Sequence, residues 1–157
     1  MSKKNLTAEL KKILAKYNSK QGALLPCLHL VQEREGFISE EMISHLAQSM
    51  DLPRVEVYSV VTFYSMFTLK KQGKYVIRLC LSLPCYLKSS RAIFKALKNE
   101  LKIENGETTK DGIFSIEGVS CLGLCDRAPG MLINDKSYGD LTPQKAVGII
   151  RELKKKK

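Results

Sequence analysis

The sequence predicts a mixed α/β (α+β) protein in which an N-terminal helical bundle precedes a smaller α/β domain. Apolar residues recur at helical spacing up to about residue 70, and strand-like runs begin only after that point. A polar break, Lys70-Lys71-Gln72-Gly73-Lys74, separates the two patterns. We therefore expect a helical domain over residues 1–70 and an α/β domain over residues 74–157.

Four apolar stripes predict four helices in the first part. The stripes are Leu10/Ile13/Leu14/Tyr17, Leu24/Cys27/Leu28/Val31, Ile43/Leu46/Ala47/Met50 and Val57/Val60/Val61. Gly36 is expected to end the second helix, Ser39 to cap the third, and Pro53 to start the fourth. The residues that follow are expected to pack in the core, and they are Phe63, Tyr64, Met66 and Phe67.

The second part alternates strands and helices. Residues 75–79 and 113–119 are predicted to be strands, with a helix between them that Ser89 or Ser90 would cap. Met131–Ile133 and a short piece near Tyr138 would form an edge hairpin. A last helix is expected to begin with Thr142 as its cap and Pro143 at its first position.

Composition and charge exclude several classes of protein. The chain has 157 residues, 44% of them hydrophobic, and a formal net charge of +10. Its apolar runs are too short for a membrane-spanning helix, and no signal-peptide core follows the start. The lysines at both ends are expected to be solvated, and they lack the stacking aromatics typical of nucleic-acid modules. We expect a cytoplasmic protein without a nucleic-acid partner.

Five cysteines carry the strongest chemical signal. Cys80 and Cys85 have four residues between them, and Cys121 and Cys125 have three. Each pair lies just beyond a predicted strand, so neighbouring strands would bring four thiolates to one end of the sheet. The odd count argues against a disulfide framework. Cys27 lies on an apolar helical stripe and is expected to be a core residue.

Four thiolates suit zinc or an iron–sulfur cluster. Structural zinc usually has at least one pair with two intervening residues, whereas these wider spacings fit two sulfurs per iron on a two-iron cluster. His29 and His45 lie far from both pairs, which excludes a Rieske centre. Gly123 would let a backbone N–H point at sulfur. The leucines between the thiols are expected to exclude water, and they are Leu81, Leu83, Leu122 and Leu124.

Two other classes stay open on residue chemistry alone. A four-cysteine zinc module could scaffold a complex or bind nucleic acid through a basic surface. A dithiol enzyme would need a close reactive pair such as Cys-x-x-Cys, which the sequence lacks. No Gly-x-Gly-x-x-Gly motif or phosphate loop is present, so we expect no nucleotide site on this chain.

Three motifs resemble the thioredoxin-like [2Fe–2S] ferredoxin family, in the form of the small, E-type subunit found in NADH:quinone oxidoreductase. They are Cys80-x4-Cys85, then Cys121-Leu122-Gly123-Leu124-Cys125-Asp126-x-Ala128-Pro129, then Tyr138-Gly139-x-Leu141-Thr142-Pro143. The resemblance extends over about residues 20–150 and includes the helical part. The family often has Gly-Thr-Ala where this chain has Ser82-Leu83-Pro84, and glycine at Ser89, so the hydrogen bonds to sulfur are expected to differ.

The resemblance implies an electron-transfer subunit with a thioredoxin-like ferredoxin domain. Cys80, Cys85, Cys121 and Cys125 would hold one [2Fe–2S] cluster and change its charge by one electron. The implied partner is a larger subunit that carries FMN, the NADH site and a [4Fe–4S] cluster. This chain would not be catalytic alone, and would lie in the cytoplasm or peripherally on the inner face of the membrane. The same subunit type occurs in soluble NAD(P)-linked hydrogenases, electron-bifurcating forms included, and in formate dehydrogenases, which remain the alternative hosts.

Overall fold

The computed structural model describes residues 3–155, with side chains from Leu6 onward, as two compact units that divide between Lys71 and Gln72. The last two lysines of the basic tail lie outside the described residues. The first unit is helical, and the second combines helices with one four-stranded sheet.

Four helices make up the first unit. They are α1 (Lys3–Leu14), α2 (Lys20–Glu35), α3 (Glu40–Met50) and α4 (Arg54–Phe63). Gly36 ends α2 in the left-handed conformation at φ +78°, and its N–H donates to the Gln32 carbonyl over 2.8 Å. The Ser39 hydroxyl accepts from the Met42 N–H over 3.2 Å. Both predicted helix boundaries are therefore confirmed.

Several residues expected in the first core lie outside it. Tyr17 follows the end of α1 and is 45% exposed, and Pro53 precedes α4 instead of occupying its first turn. Phe63 is 79% exposed and Met66 is 48% exposed, while Phe67 is buried. The buried side of α4 carries Val57 and Val61. Phe63 lies two residues after Val61, a rotation of roughly 200° about the helix axis, and so faces solvent.

The second unit is built on a mixed sheet. Its elements are β1 (Tyr75–Cys80), α5 (Leu83–Leu87), α6 (Ser90–Leu101), β2 (Phe114–Val119), β3 (Met131–Ile133), β4 (Lys136–Tyr138) and α7 (Pro143–Lys155). The strand order is β2-β1-β3-β4, with β1 and β2 parallel and the other pairs antiparallel. Ile77, Leu79 and Ile116 from the sheet pack with Ile93 and Leu97 of α6 and Ala146 and Ile150 of α7.

The helix starts in this unit differ from the prediction in one case. Thr142 caps α7 as expected, because its hydroxyl accepts from the Lys145 N–H over 3.2 Å. Ser89 precedes α6 in the left-handed conformation at φ +66° and makes no side-chain cap. Ser90 is the first residue of α6, fully buried, and its hydroxyl has no hydrogen-bond partner among the described residues. Neither serine therefore caps α6.

In the part of the chain that the structure describes, no helix is long and apolar enough to cross a membrane.

Candidate metal centre

The parallel pair β1–β2 brings the four cysteines to one end of the sheet. Cys80 is the last residue of β1 and lies opposite Val119, the last residue of β2. Because parallel strands end at the same edge, the loops that follow both strands meet there. Cys121 lies two residues beyond β2. Cys85 lies on α5, and Cys125 opens a 3₁₀ turn that ends at Arg127.

The centre is buried on one side and open on the other. Cys80 and Cys85 are each 2% exposed and pack with Ala128 and Leu122, whereas Cys121 and Cys125 are exposed. The expectation of a dry site is wrong for one leucine, since Leu83 is 68% exposed. The other three leucines between the thiols are half-buried. Water therefore has access from the side of the second cysteine pair.

The sulfur geometry fits metal coordination by paired thiolates. The Sγ atoms of Cys121 and Cys125 lie 3.7 Å apart. A tetrahedral metal with bonds of about 2.3 Å to sulfur holds two sulfurs about 3.8 Å apart. Among the described residues, no group of three or more His, Cys, Asp or Glu side chains is arranged around a single ion position. Four cysteine sulfurs in two pairs are a donor set that fits a [2Fe–2S] cluster.

Backbone N–H groups point at the sulfurs. Gly123 adopts φ +76°, and its N–H donates to the Cys121 Sγ over 3.4 Å, which confirms the role expected of this glycine. The N–H groups of Ser82 and Leu122 donate to the Cys80 sulfur, and that of Gly130 donates to Cys85. The Ser82 hydroxyl, which makes no helix cap, is a further donor to Cys80. These dipoles stabilise negative charge on sulfur.

The four thiols influence one another electrostatically. Burial raises the pKa of Cys80, but the hydrogen bonds from Ser82, Cys85 and Leu122 together outweigh it, so its pKa lies below the usual value. Burial raises the pKa of Cys85, and the nearby Cys80 sulfur raises it further. The hydrogen bond from the Gly130 N–H lowers this pKa but does not cancel the increase. The hydrogen bond and charge of Cys121 raise the pKa of Cys125, with smaller contributions from burial, Cys85 and Cys80. The four cysteines predicted from the sequence therefore lie close enough together for their thiols to affect one another's pKa.

The remaining titratable candidates lie elsewhere. Cys27 belongs to α2 of the first unit, is fully buried, and burial raises the pKa of its thiol to about 11. It is the core residue that the sequence predicted. His29 is exposed, and its ring contacts Phe67 at 5.0 Å between centroids. His45 is half-buried on α3, with its Nδ1 atom buried and unpartnered among the described side chains.

Three supporting residues were not predicted from the sequence. They are Ser82, Gly130 and Gly139. Gly139 packs against Arg127, and a Cβ added to Gly139 would lie 2.6 Å from the Arg127 Cβ. Arg127 also forms a surface ion pair with Asp140 at 3.3 Å. A Tyr-Gly-Asp sequence before a helix gives a turn signal, but not the partner that the turn packs against.

The fold and the four gathered thiols define a small iron–sulfur ferredoxin. The model of the thioredoxin-like [2Fe–2S] ferredoxin family matches residues 10–154, so the chain belongs to this family. It carries one [2Fe–2S] cluster, and the resemblance drawn from its cysteine motifs is confirmed.

Sequence relatives cover nearly the whole chain. The E subunit of NADH-quinone oxidoreductase from Rickettsia bellii (strain RML369-C) is 41% identical over 155 residues, which is 97% of this chain and 92% of the relative. Its counterpart from Rickettsia felis (strain ATCC VR-1525 / URRWXCal2) is 40% identical over 153 residues, covering 96% of this chain and 91% of the relative.

A solved structure shares the fold. An NAD+-reducing [NiFe]-hydrogenase in the air-oxidized state superposes with a TM-score of 0.69 at 21% identity over 82% of this chain. This chain spans 23% of that hydrogenase chain. The likeness is one of fold.

Proposed function

We propose that this chain is the [2Fe–2S] electron-transfer subunit of an NADH:quinone oxidoreductase. The observation that carries the proposal is the match to the E subunit of that enzyme over 97% of the chain, which includes both units. The hydrogenase is similar at 21% identity, which supports a common fold but does not favour a hydrogenase as host.

Within this proposal Cys80, Cys85, Cys121 and Cys125 are the four ligands, two to each iron. The cluster, when bound, accepts and returns one electron at a time. The chain's own residues set the conditions for that exchange. Cys80 and Cys85 hold the buried side, where Leu122 and Ala128 limit contact with water. The N–H groups of Gly123, Leu122 and Gly130 stabilise negative charge on the sulfurs.

The proposed partner is a larger subunit that binds FMN, NADH and a [4Fe–4S] cluster. Hydride removal from NADH delivers two electrons, while a [2Fe–2S] cluster takes one, so a flavin has to mediate between them. The sequence of this chain holds no dinucleotide or phosphate-loop motif that would let it bind NADH itself. The chain thus contributes to an oxidoreductase without catalysing the reaction alone. We place it in the cytoplasm, peripherally on the inner face of the membrane through its complex.

The test is reconstitution with the flavin-bearing subunit of the NADH:quinone oxidoreductase from the same organism. Each component and the mixture are incubated anaerobically with NADH, and electron paramagnetic resonance follows the reduced [2Fe–2S] signal. We expect this chain alone to leave NADH unoxidised, the mixture to elute as a heterodimer, and dithionite to reduce the cluster in each preparation that contains the wild-type chain. Cys80→Ser, which removes one ligand, is the control for the signal. NADH oxidation by this chain alone, or no heterodimer with the flavin-bearing subunit, would refute the proposal.

A further inference from the structure

One short helix carries the exposed large apolar side chains of the second unit. Among its described residues, Leu83 is 68% exposed, Tyr86 45% and Leu87 73%, and no other large apolar side chain is exposed. Spacings of three and four residues place them on one face of α5. Cys85 lies on the same helix and is buried. An apolar face is therefore present directly at one sulfur of the metal centre.

The cations next to this face lack acidic partners. Five of the six arginines in the chain pair with a carboxylate, and these are Arg34, Arg54, Arg78, Arg127 and Arg151. Arg91 makes no such pair with any described residue, and its guanidinium carbon instead lies 4.9 Å from the centre of the Tyr86 ring. Lys88 and Lys95, three residues before and four after it, are exposed and also without a carboxylate partner in the described part.

We propose that these six residues form a docking surface, the α5–α6 patch, for an acidic surface of the protein that exchanges electrons with the cluster. The patch consists of Leu83, Tyr86, Leu87, Lys88, Arg91 and Lys95. This inference rests on the proposed function and names the contact through which that function operates. Its apolar centre with a charged rim is the usual anatomy of a protein interface.

Charge decides which occupant fits. A second copy of this chain would bring another set of uncompensated cations and be repelled, since the net charge is +10. An acidic protein surface supplies carboxylates to Arg91 while it covers Leu83 and Leu87. Arg91 is already held against Tyr86, so little side-chain freedom is lost on pairing. Tyrosine and arginine are also the residues enriched at energetic centres of interfaces.

The test measures affinity with full-length, cluster-loaded chains. The probe is the flavin-bearing subunit used for the proposed function, titrated by isothermal calorimetry at two salt concentrations. Arg91→Glu and Tyr86→Ala should each weaken binding by about tenfold or more. Lys95→Glu, which removes a cation of the patch and keeps the contact between Arg91 and Tyr86, is the second charge variant. Added salt should weaken the wild-type complex and affect Arg91→Glu less.

Lys110→Glu is the matched control. Lys110 is exposed and precedes β2, at the end of the sheet opposite the cysteine loops. It changes the net charge equally and should leave affinity unchanged. Visible absorption and iron content should match the wild type in all four variants.

The outcomes separate the two proposals. If the wild type forms no complex with the flavin-bearing subunit, the proposed function fails. If the wild type binds but the patch variants bind equally well, or if Lys110→Glu is as weak as Arg91→Glu, the docking surface is refuted and the proposed function stands. Two further observations would also overturn the docking surface. In one, the wild-type chain binds phosphatidylserine vesicles, and Arg91→Glu abolishes that binding but still binds the flavin-bearing subunit. The other is self-association abolished by Tyr86→Ala.

Discussion

The backbone N–H of Asp140 donates to the carbonyl oxygen of Arg127 over 2.7 Å, and the side chains of these two residues form an ion pair at 3.3 Å. Gly139 lies between them in the contact, where a Cβ would come within 2.8 Å of the same carbonyl oxygen. Arg127 ends the 3₁₀ turn that begins at Cys125. The segment that leads into α7 therefore holds the turn that carries one of the cysteines.

Gly139→Ala tests this arrangement. The added methyl group has to displace the Arg127 backbone, and overpacking of this kind costs about 1–3 kcal/mol. We expect lower stability in urea and faster loss of the cluster to an iron chelator, followed by visible absorption. Gly148→Ala on α7 is the control, because nothing lies within 4 Å of its Cβ position. It should raise stability by about 0.5–1 kcal/mol, since alanine favours helix over glycine. Equal chelation rates in the two variants would contradict the role given to Gly139.

Serine substitutions distinguish the proposed ligands from the fifth cysteine. Replacing Cys80, Cys85, Cys121 or Cys125 by serine should abolish or strongly weaken cluster binding, because an alkoxide is a poor substitute for a soft thiolate. Cys27→Ala should keep full iron and sulfide content and lose about 1 kcal/mol of core packing. Iron and sulfide analysis of the purified variants shows which cysteines the cluster requires. Iron loss in Cys27→Ala equal to that in the other four would refute the ligand assignment.

Alkaline pH should reveal the buried thiol of Cys27. Its pKa is about 11 in the folded chain against an ordinary value of 9.0. Below pH 9.0 both states keep the proton and the thiol's contribution to stability is complete, whereas between 9.0 and about 11 only the unfolded chain loses it. Stability should therefore fall as pH rises through that window, by about 3 kcal/mol in all. The measurement is the difference in unfolding free energy between wild type and Cys27→Ala, which cancels the titration of other groups. A difference that stays constant with pH would show that the thiol is not desolvated.

Leu122→Ser should raise the reduction potential. A four-thiolate [2Fe–2S] cluster has a charge of about −2 when oxidised and about −3 when reduced, so a dry surrounding disfavours the reduced form. Leu122 is half-buried against Cys80 and Cys85, and serine would admit water there. Leu83→Ser is the matched control. Leu83 is already 68% exposed, so its replacement should leave the reduction potential unchanged. Redox titration of the isolated chain gives both values. A lower or unaltered potential in Leu122→Ser, with the cluster intact, would argue against the shielding role.

The parts of the fold that follow a long periodic pattern were predictable. The buried residues of α3 and the end of β2 at Val119 were evident from spacing, and β1 ends at Cys80, one residue beyond the predicted run. α5 was missed because a five-residue helix is shorter than the period needed to detect it. Phe63 and Tyr17 were misplaced because each follows the last buried residue of its helix, where an apolar side chain no longer has a core to face.

The candidate site was predictable to the level of its sulfurs. Cysteines placed after two strands indicate a common edge once the strands are taken as parallel neighbours, and Gly123 was recognisable because it lies between two cysteines. The Gly130 N–H that donates to Cys85 and the packing of Gly139 on Arg127 depend on residues that β3 and β4 bring together. No local pattern encodes such contacts, because each partner lies on a separate loop.

The strand order β2-β1-β3-β4 has a consequence for synthesis on the ribosome. The central strand β1 is the first of the four to emerge, yet both of its neighbours, β2 and β3, are translated later. The helical unit can close while the apolar run Tyr75–Cys80 still lacks a partner strand. One edge of that run stays unpaired until Met131–Ile133 has been translated. Cys121 and Cys125 follow β2 in the sequence, so the four thiols come together only after most of the chain has been translated.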